Sequence, residues 1–164
     1  HFDTHGGSMR YFFSKKNLKQ TNIMQKYINL ELNNKIFDIN TFMKFQKNCK
    51  KICEELYNFV VSKSKEGKII AGYGATAKSA TTLNYSNIDQ NLISCIYDST
   101  PFKINKFTPG THIQIRDARL LSKDNPDYTI LFAWNHKNEI IEKEKKSNTI
   151  WVEYIPELKL TYEN

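Results

Sequence analysis

The sequence is poor in cysteine and in long apolar runs, and each scarcity removes a class of function. Three cysteines in 164 residues, Cys49, Cys53 and Cys95, are too few and too odd in number for a disulfide framework. Their sparseness fits a reducing cytoplasm. Cys49 and Cys53 are four apart, so a helix would put them on one face. A closed zinc site needs four ligands, however, and the nearest histidine in sequence is His5. They read as buried thiols, and no metal site is expected. No apolar run approaches the roughly 18–20 residues that cross a bilayer. No basic start followed by an apolar stretch opens the chain, so neither a secretory leader nor a membrane partner is expected. An initiator methionine is also lacking, which suggests a piece of a longer polypeptide.

Acidic residues are the scarcer charge. The net charge of +7 invites a nucleic-acid reading, but its distribution argues otherwise. Residues 1–68 hold 13 Lys+Arg against 6 Asp+Glu, whereas residues 69–164 hold 11 of each. The excess sits on an N-terminal segment that includes the helical face "KNCKK", so a solvated face explains it and no nucleic-acid partner is expected.

What the chain does have is periodicity. Ile23, Tyr27 and Leu30 suggest a short helix over residues 20–33. Phe42, Phe45, Cys49, Ile52, Cys53, Leu56, Phe59 and Val60 recur at steps of three and four, which predicts a long amphipathic helix over 41–63. Asn40 or Thr41 would cap its start, and Gly67 would end it. After Lys68 the pattern changes to short apolar runs: "KIIAGY", "LISCIYD", "HIQI", "YTILFAW" and "TIWVEYI". Helical patterns follow the first ("ATAKSATTLNY") and the fourth ("NHKNEIIEKEKK"), and a short turn, "DARLL", follows the third. In the fourth, Glu139–Lys143 and Glu142–Lys146 would pair at i,i+4. Strands alternating with helices predict an α/β, doubly wound, mostly parallel Rossmann-like sheet of order 3-2-1-4-5 behind the long helix. The expected division is a lead segment, residues 1–39, and a Rossmann-like domain, residues 40–164.

The first strand runs into a Gly-x-Gly turn, Gly72–Tyr73–Gly74–Ala75–Thr76, and then into a helix that carries Lys78 early. Glycines there would let the backbone turn and approach a ligand without a Cβ in the way. The helix start would add free N–H groups and its dipole, and Lys78 a mobile charge. The same glycines could equally serve only strand–helix packing, because the third glycine of G-x-G-x-x-G is missing and position 77 is Ala. In a 3-2-1-4-5 sheet the strand order reverses between the first and fourth strands. Asn135 and His136, at the end of the fourth, would then face Gly74–Lys78. Asn135 could instead cap the next helix, and His136 could be merely exposed. Asp98, 24 residues after Gly74, would bond a ribose or brace the long cationic loop "STPFKINKFTPGT", which carries Lys103 and Lys106.

Four motifs in order, "HGGSMR", "GYGATAKSATTLNY", "YDSTPFKINKFTPGTHIQI" and "FAWNHKNEI", resemble the C-terminal domain of nucleotide-sugar C-methyltransferases. The resemblance implies a longer enzyme in which an upstream domain binds S-adenosylmethionine and methylates a carbon of a nucleotide-linked keto-deoxysugar. It implies that Gly72, Tyr73, Gly74, Ala75, Thr76, Lys78, Asp98, Asn135 and His136 help hold the diphosphate and sugar. It places His5, Gly6, Gly7, Ser8 and Arg10 at the join with the upstream domain or in contact with the sugar, His5 either reaching the sugar or serving only a structural turn. No catalytic residue is assigned here, and the chain alone is expected to be inactive. The rival readings are a stand-alone dinucleotide- or CoA-binding domain and a non-catalytic interaction module.

Overall fold

The structure is a computed structural model that describes residues 1–3 and 7–162 of the 164. The chain forms two compact units, His1–Cys49 and Lys50–Asn164.

The first unit holds helix α1 (Asn22–Asn33) and the beginning of helix α2 (Ile39–Lys65). Thr21 caps α1 by accepting the Met24 N–H at 3.2 Å. The expected caps of α2, Asn40 or Thr41, give way to Asp38, two residues before Asn40. Asp38 accepts the Asn40 N–H at 2.9 Å, and an ionised carboxylate is a stronger acceptor than the amide or hydroxyl of Asn40 or Thr41. The far end closes at Gly67, whose φ of +77° is the left-handed value that a helix terminus of this type requires.

The second unit is an α/β sandwich. Strands β1 (Ile70–Tyr73), β2 (Ile96–Asp98), β3 (Ile115–Asp117), β4 (Tyr128–Leu131), β5 (Ile150–Glu153) and β6 (Lys159–Thr161) form one sheet. Its order is β3-β2-β1-β4-β5-β6. The first five strands are parallel, as expected. The sixth is an antiparallel addition: "ELKLT" folds back after the Ile155-Pro156 turn and pairs Val152 with Leu160. A strand of three residues carries too little alternation to be read in advance.

Successive strand residues face opposite layers. Ile70, Ile96, Ile130, Phe132 and Val152 pack with Leu56, Val60 and Leu83, which come from α2 and α3 (Ala77–Tyr85). Ala71, Tyr73, Tyr97, Leu131 and Trp151 pack on the other side with Leu121 of α4 (Leu121–Asp124) and Ile140 of α5 (Lys137–Lys143). Helix α5 is shorter than its pattern suggests. Glu144 turns inward at the helix end to accept the Tyr73 hydroxyl at 2.8 Å, which ends the helix before Lys146. Glu142 pairs with Lys145 instead, at 2.7 Å.

Candidate functional site

The parallel order puts β1 between β2 and β4, so the strand order reverses at the carboxyl ends of β1 and β4. Three segments meet there: the turn Gly74–Thr76, the loop after Asp98, and Ala133–His136.

The turn is closely packed. Gly74 has φ +94°, and a Cβ there would lie 2.8 Å from the Ala133 Cβ. A Cβ on Gly72 would lie 2.6 Å from the Phe132 ring. Both glycines therefore serve the approach of β1 to the residues after β4. The space expected for a ligand at these two positions is filled by Phe132 and Ala133.

The turn amides are also engaged. Gly74 N–H donates to Tyr97 O at 2.8 Å, Ala75 N–H to Asp98 Oδ2 at 2.7 Å, and Thr76 N–H to Ser79 Oγ at 2.9 Å. This corrects the expectation that Gly74–Thr76 offer their N–H groups. The open amides are one step further on. Among the described residues, nothing accepts from the N–H of Ala77 or Lys78, the first two residues of α3. The helix start is held by a reciprocal cap. Thr76 Oγ1 accepts from Ser79 N–H at 3.1 Å, and the buried Ser79 hydroxyl returns a bond to Thr76 O at 2.7 Å. Thr76→Ala is expected to lower stability by about 1 kcal/mol, while Thr76→Ser stays close to the parent. Urea midpoints for the two variants check this.

Asp98 is almost fully buried and acts as the brace of this edge. Its Oδ1 accepts Thr100 N–H at 2.8 Å. Its Oδ2 accepts Ala75 N–H and lies 3.4 Å from the Lys103 ammonium. Lys103 also donates to Ala75 O at 2.8 Å, so Ala75 is gripped at both its N–H and its C=O, which belong to the two peptide units flanking its Cα. Burial pushes the Asp98 carboxyl up, but the Thr100 bonds, Lys103 and the Ala75 amide outweigh it and hold it below the usual value. Of the two roles that the sequence leaves open for Asp98, the bracing one has its partners in place.

Lys78 reaches across the switch point. Its ammonium donates to Asn135 Oδ1 at 2.8 Å and stands 4.4 Å over the Trp134 ring. Asn135 thus meets Lys78 as the topology predicts, and it does not cap α5, which has no side-chain cap. His136 is exposed and lies 3.6 Å from Glu139. Tyr73 points away from the turn, into the layer of Trp151 and Glu144.

Trp134 and Lys103 escape the sequence reading as members of this cluster. Their signals are nonetheless present. Trp134 directly precedes Asn135, and Pro101 opens a 3-10 turn, Pro101–Lys103, that carries the lysine back toward Asp98.

Of the "HGGSMR" motif, His5 and Gly6 lie outside the described residues. Gly7 has φ +112°, Ser8 exchanges both backbone bonds with Phe2, and the Arg10 guanidinium sits 4.8 Å over the Phe2 ring. Phe2 and Ser8 thus form an isolated antiparallel bridge within the first unit.

The family profile described as C-methyltransferase C-terminal domain matches residues 3–156. The C-methyltransferase NovU of Streptomyces niveus is 30% identical over 105 residues, which is 64% of this chain and 25% of that protein. The matched part thus spans about a quarter of the length of that relative. With nearly every residue inside the profile, and the motifs around Gly74, Asp98 and Asn135 gathered at one sheet edge, the chain belongs to the C-methyltransferase C-terminal domain family.

Proposed function

We propose that this chain is the substrate-binding part of an S-adenosylmethionine-dependent sugar C-methyltransferase. On this reading its carboxyl sheet edge receives the diphosphate of a nucleotide-linked keto-deoxysugar. The observation that carries the reading is Lys78. Its ammonium is fixed at the switch point by Trp134 and Asn135, beside the two open amides that begin α3. A fixed cation next to open N–H groups at a helix start is suited to phosphate oxygens. The position also gives Asn135 and His136 access to sugar hydroxyls.

The methyl donor does not fit here. S-adenosylmethionine bears a sulfonium cation, and this edge already carries the ammonium groups of Lys78 and Lys103. The donor and the base that prepares the sugar carbon belong, on this reading, to another part of the polypeptide. The role left to these residues is to bind and orient the substrate. The rival reading, a stand-alone NAD- or CoA-binding domain, is weakened by Asp98. Both of its carboxylate oxygens accept from the chain itself and the residue is 5% exposed, so a ribose has little access to it.

Titration with dTDP or UDP, followed by amide NMR, tests the proposal. The Ala77 and Lys78 signals are expected to shift. Lys78→Ala is expected to weaken binding about tenfold or more, because a charge-assisted bond is worth roughly 1.5–3 kcal/mol and 1.4 kcal/mol is tenfold. If residues 72–80 stay still, or Lys78→Ala binds as well as the parent, the lysine is structural. Tighter binding of NAD or CoA than of the diphosphates would favour the rival.

A further inference from the structure

Strand β5 ends in an acid, Glu153, beside β4 and its carboxyl end. Glu153 shares a sheet face with Trp151, two residues earlier, and so points into the layer of α5. Its Oε1 accepts two bonds, from the Lys137 ammonium at 2.6 Å and from the Thr161 hydroxyl at 2.7 Å. The Glu153 side chain is 16% exposed and that of Lys137 31%, so water screens the pair only in part.

Lys137 carries the wrong charge for its place. It is the first residue of α5, where the helix dipole favours an anion, and α5 has no side-chain cap. Glu153 supplies the anion from the neighbouring strand. The backbone of Lys137 meanwhile closes the turn that carries Trp134 and Asn135. Its N–H donates to Trp134 O, and the His136 N–H donates to Ala133 O at 2.8 Å. Lys78 leans on that turn, with its ammonium on Asn135 Oδ1 and over the Trp134 ring. Among the described residues, Lys78 is the one hydrogen-bond partner of the Asn135 side chain. A single line of contacts thus runs from β6 to the switch point, through Thr161, Glu153, Lys137 and the Trp134–Asn135 turn to Lys78.

We propose that Glu153 is a positioning residue for the diphosphate site: it anchors Lys137 and thereby holds the Trp134–Asn135 turn where Lys78 meets it. This rests on the reading of Lys78 given above. It also gives β6 a task, because the Thr161 hydroxyl fixes the carboxylate that does the anchoring.

Titration of the 164-residue chain and its variants with dTDP, followed by NMR, tests this. Glu153→Ala and Lys137→Met are each expected to weaken binding about fivefold, and the double variant no further, because all three break the same link. The sign is diagnostic. By charge alone, removing a carboxylate near an anion site strengthens anion binding, so a weakening by Glu153→Ala reports position. The Trp134 indole and Asn135 side-chain signals are expected to shift in the ligand-free variants. Lys137→Arg keeps the charge and is expected to bind within about twofold of the parent. Thr149→Val is the control. It breaks the buried 2.8 Å hydroxyl pair with Thr129 just before β5, so it lowers stability without touching the turn. Equal weakening by Thr149→Val overturns the positioning role. So does Glu153→Ala that binds as well as the parent, or tighter, while Lys78→Ala binds worse; the diphosphate reading then stands. A parent that binds no dTDP overturns that reading and this role with it. If Glu153→Ala fails to fold, Thr161→Val replaces it, with about twofold weakening and the same signal shifts expected. Unmoved signals and unchanged binding in that variant overturn the role.

Discussion

Gly74→Val is expected to destabilise the second unit by about 2–5 kcal/mol, a large part of the roughly 5–15 kcal/mol that holds an ordinary domain together. Two separate costs add. The backbone at Gly74 has φ +94°, a region that residues with a Cβ resist by about 1–2 kcal/mol. The new Cβ would also lie 2.8 Å from the Ala133 Cβ and 3.2 Å from the Ala133 backbone nitrogen. A backbone neighbour cannot swing aside as a side chain does, and overpacking of this kind costs about 1–3 kcal/mol. Gly67→Val is the control. Gly67 also has positive φ, +77°, but a Cβ there meets nothing within 4 Å, so only the backbone cost applies. Urea unfolding of the two variants therefore separates strain from packing. Equal midpoints would show that β1 and the Ala133 segment are free to part, and that the turn is open after all.

This pair of glycines shows where sequence reasoning stops. A strand, a Gly-x-Gly turn and a helix with an early lysine are visible as a pattern, because each needs a residue type that few positions tolerate. The topology follows from alternation, and it correctly brings Asn135 to Lys78. What the pattern cannot carry is who stands opposite. Gly72 and Gly74 look the same whether a phosphate or Phe132 and Ala133 lie against them. The competition for amides is equally invisible. Ala75 N–H is spent on a carboxylate 23 residues away, which moves the open donors from the turn to Ala77 and Lys78. Strand β6 is missed for a different reason. Its three residues pair only because β5 offers them an edge, so its formation is tertiary and leaves almost no local signal.

Asp98→Ala is expected to be the other severe change, at about 2–3 kcal/mol. A buried charge pair broken on one side costs about 3–5 kcal/mol when the survivor stays dry. Lys103 keeps 30% of its side chain exposed, so water relieves part of that cost. The remainder comes from the Ala75 and Thr100 amides, which lose their acceptor at the base of the turn. Lys103→Met should cost less, because Asp98 keeps both amide donors. The double variant should then be less unstable than the two single changes added together. The pH dependence gives a second readout. The Asp98 carboxyl is held below its usual value in the folded chain, so its contribution is complete above the ordinary carboxylate range, about pH 4. It is lost as the pH falls through the lower folded value. Asp127 and Glu153 are also held low and fade in the same acid window, so the parent alone does not isolate Asp98. The difference between parent and Asp98→Asn does. It should be large at pH 7 and shrink toward pH 3, because the parent loses there what the variant never had. An unchanged difference across that range would mean that Asp98 braces the turn by shape alone, and that its charge does not hold Lys103.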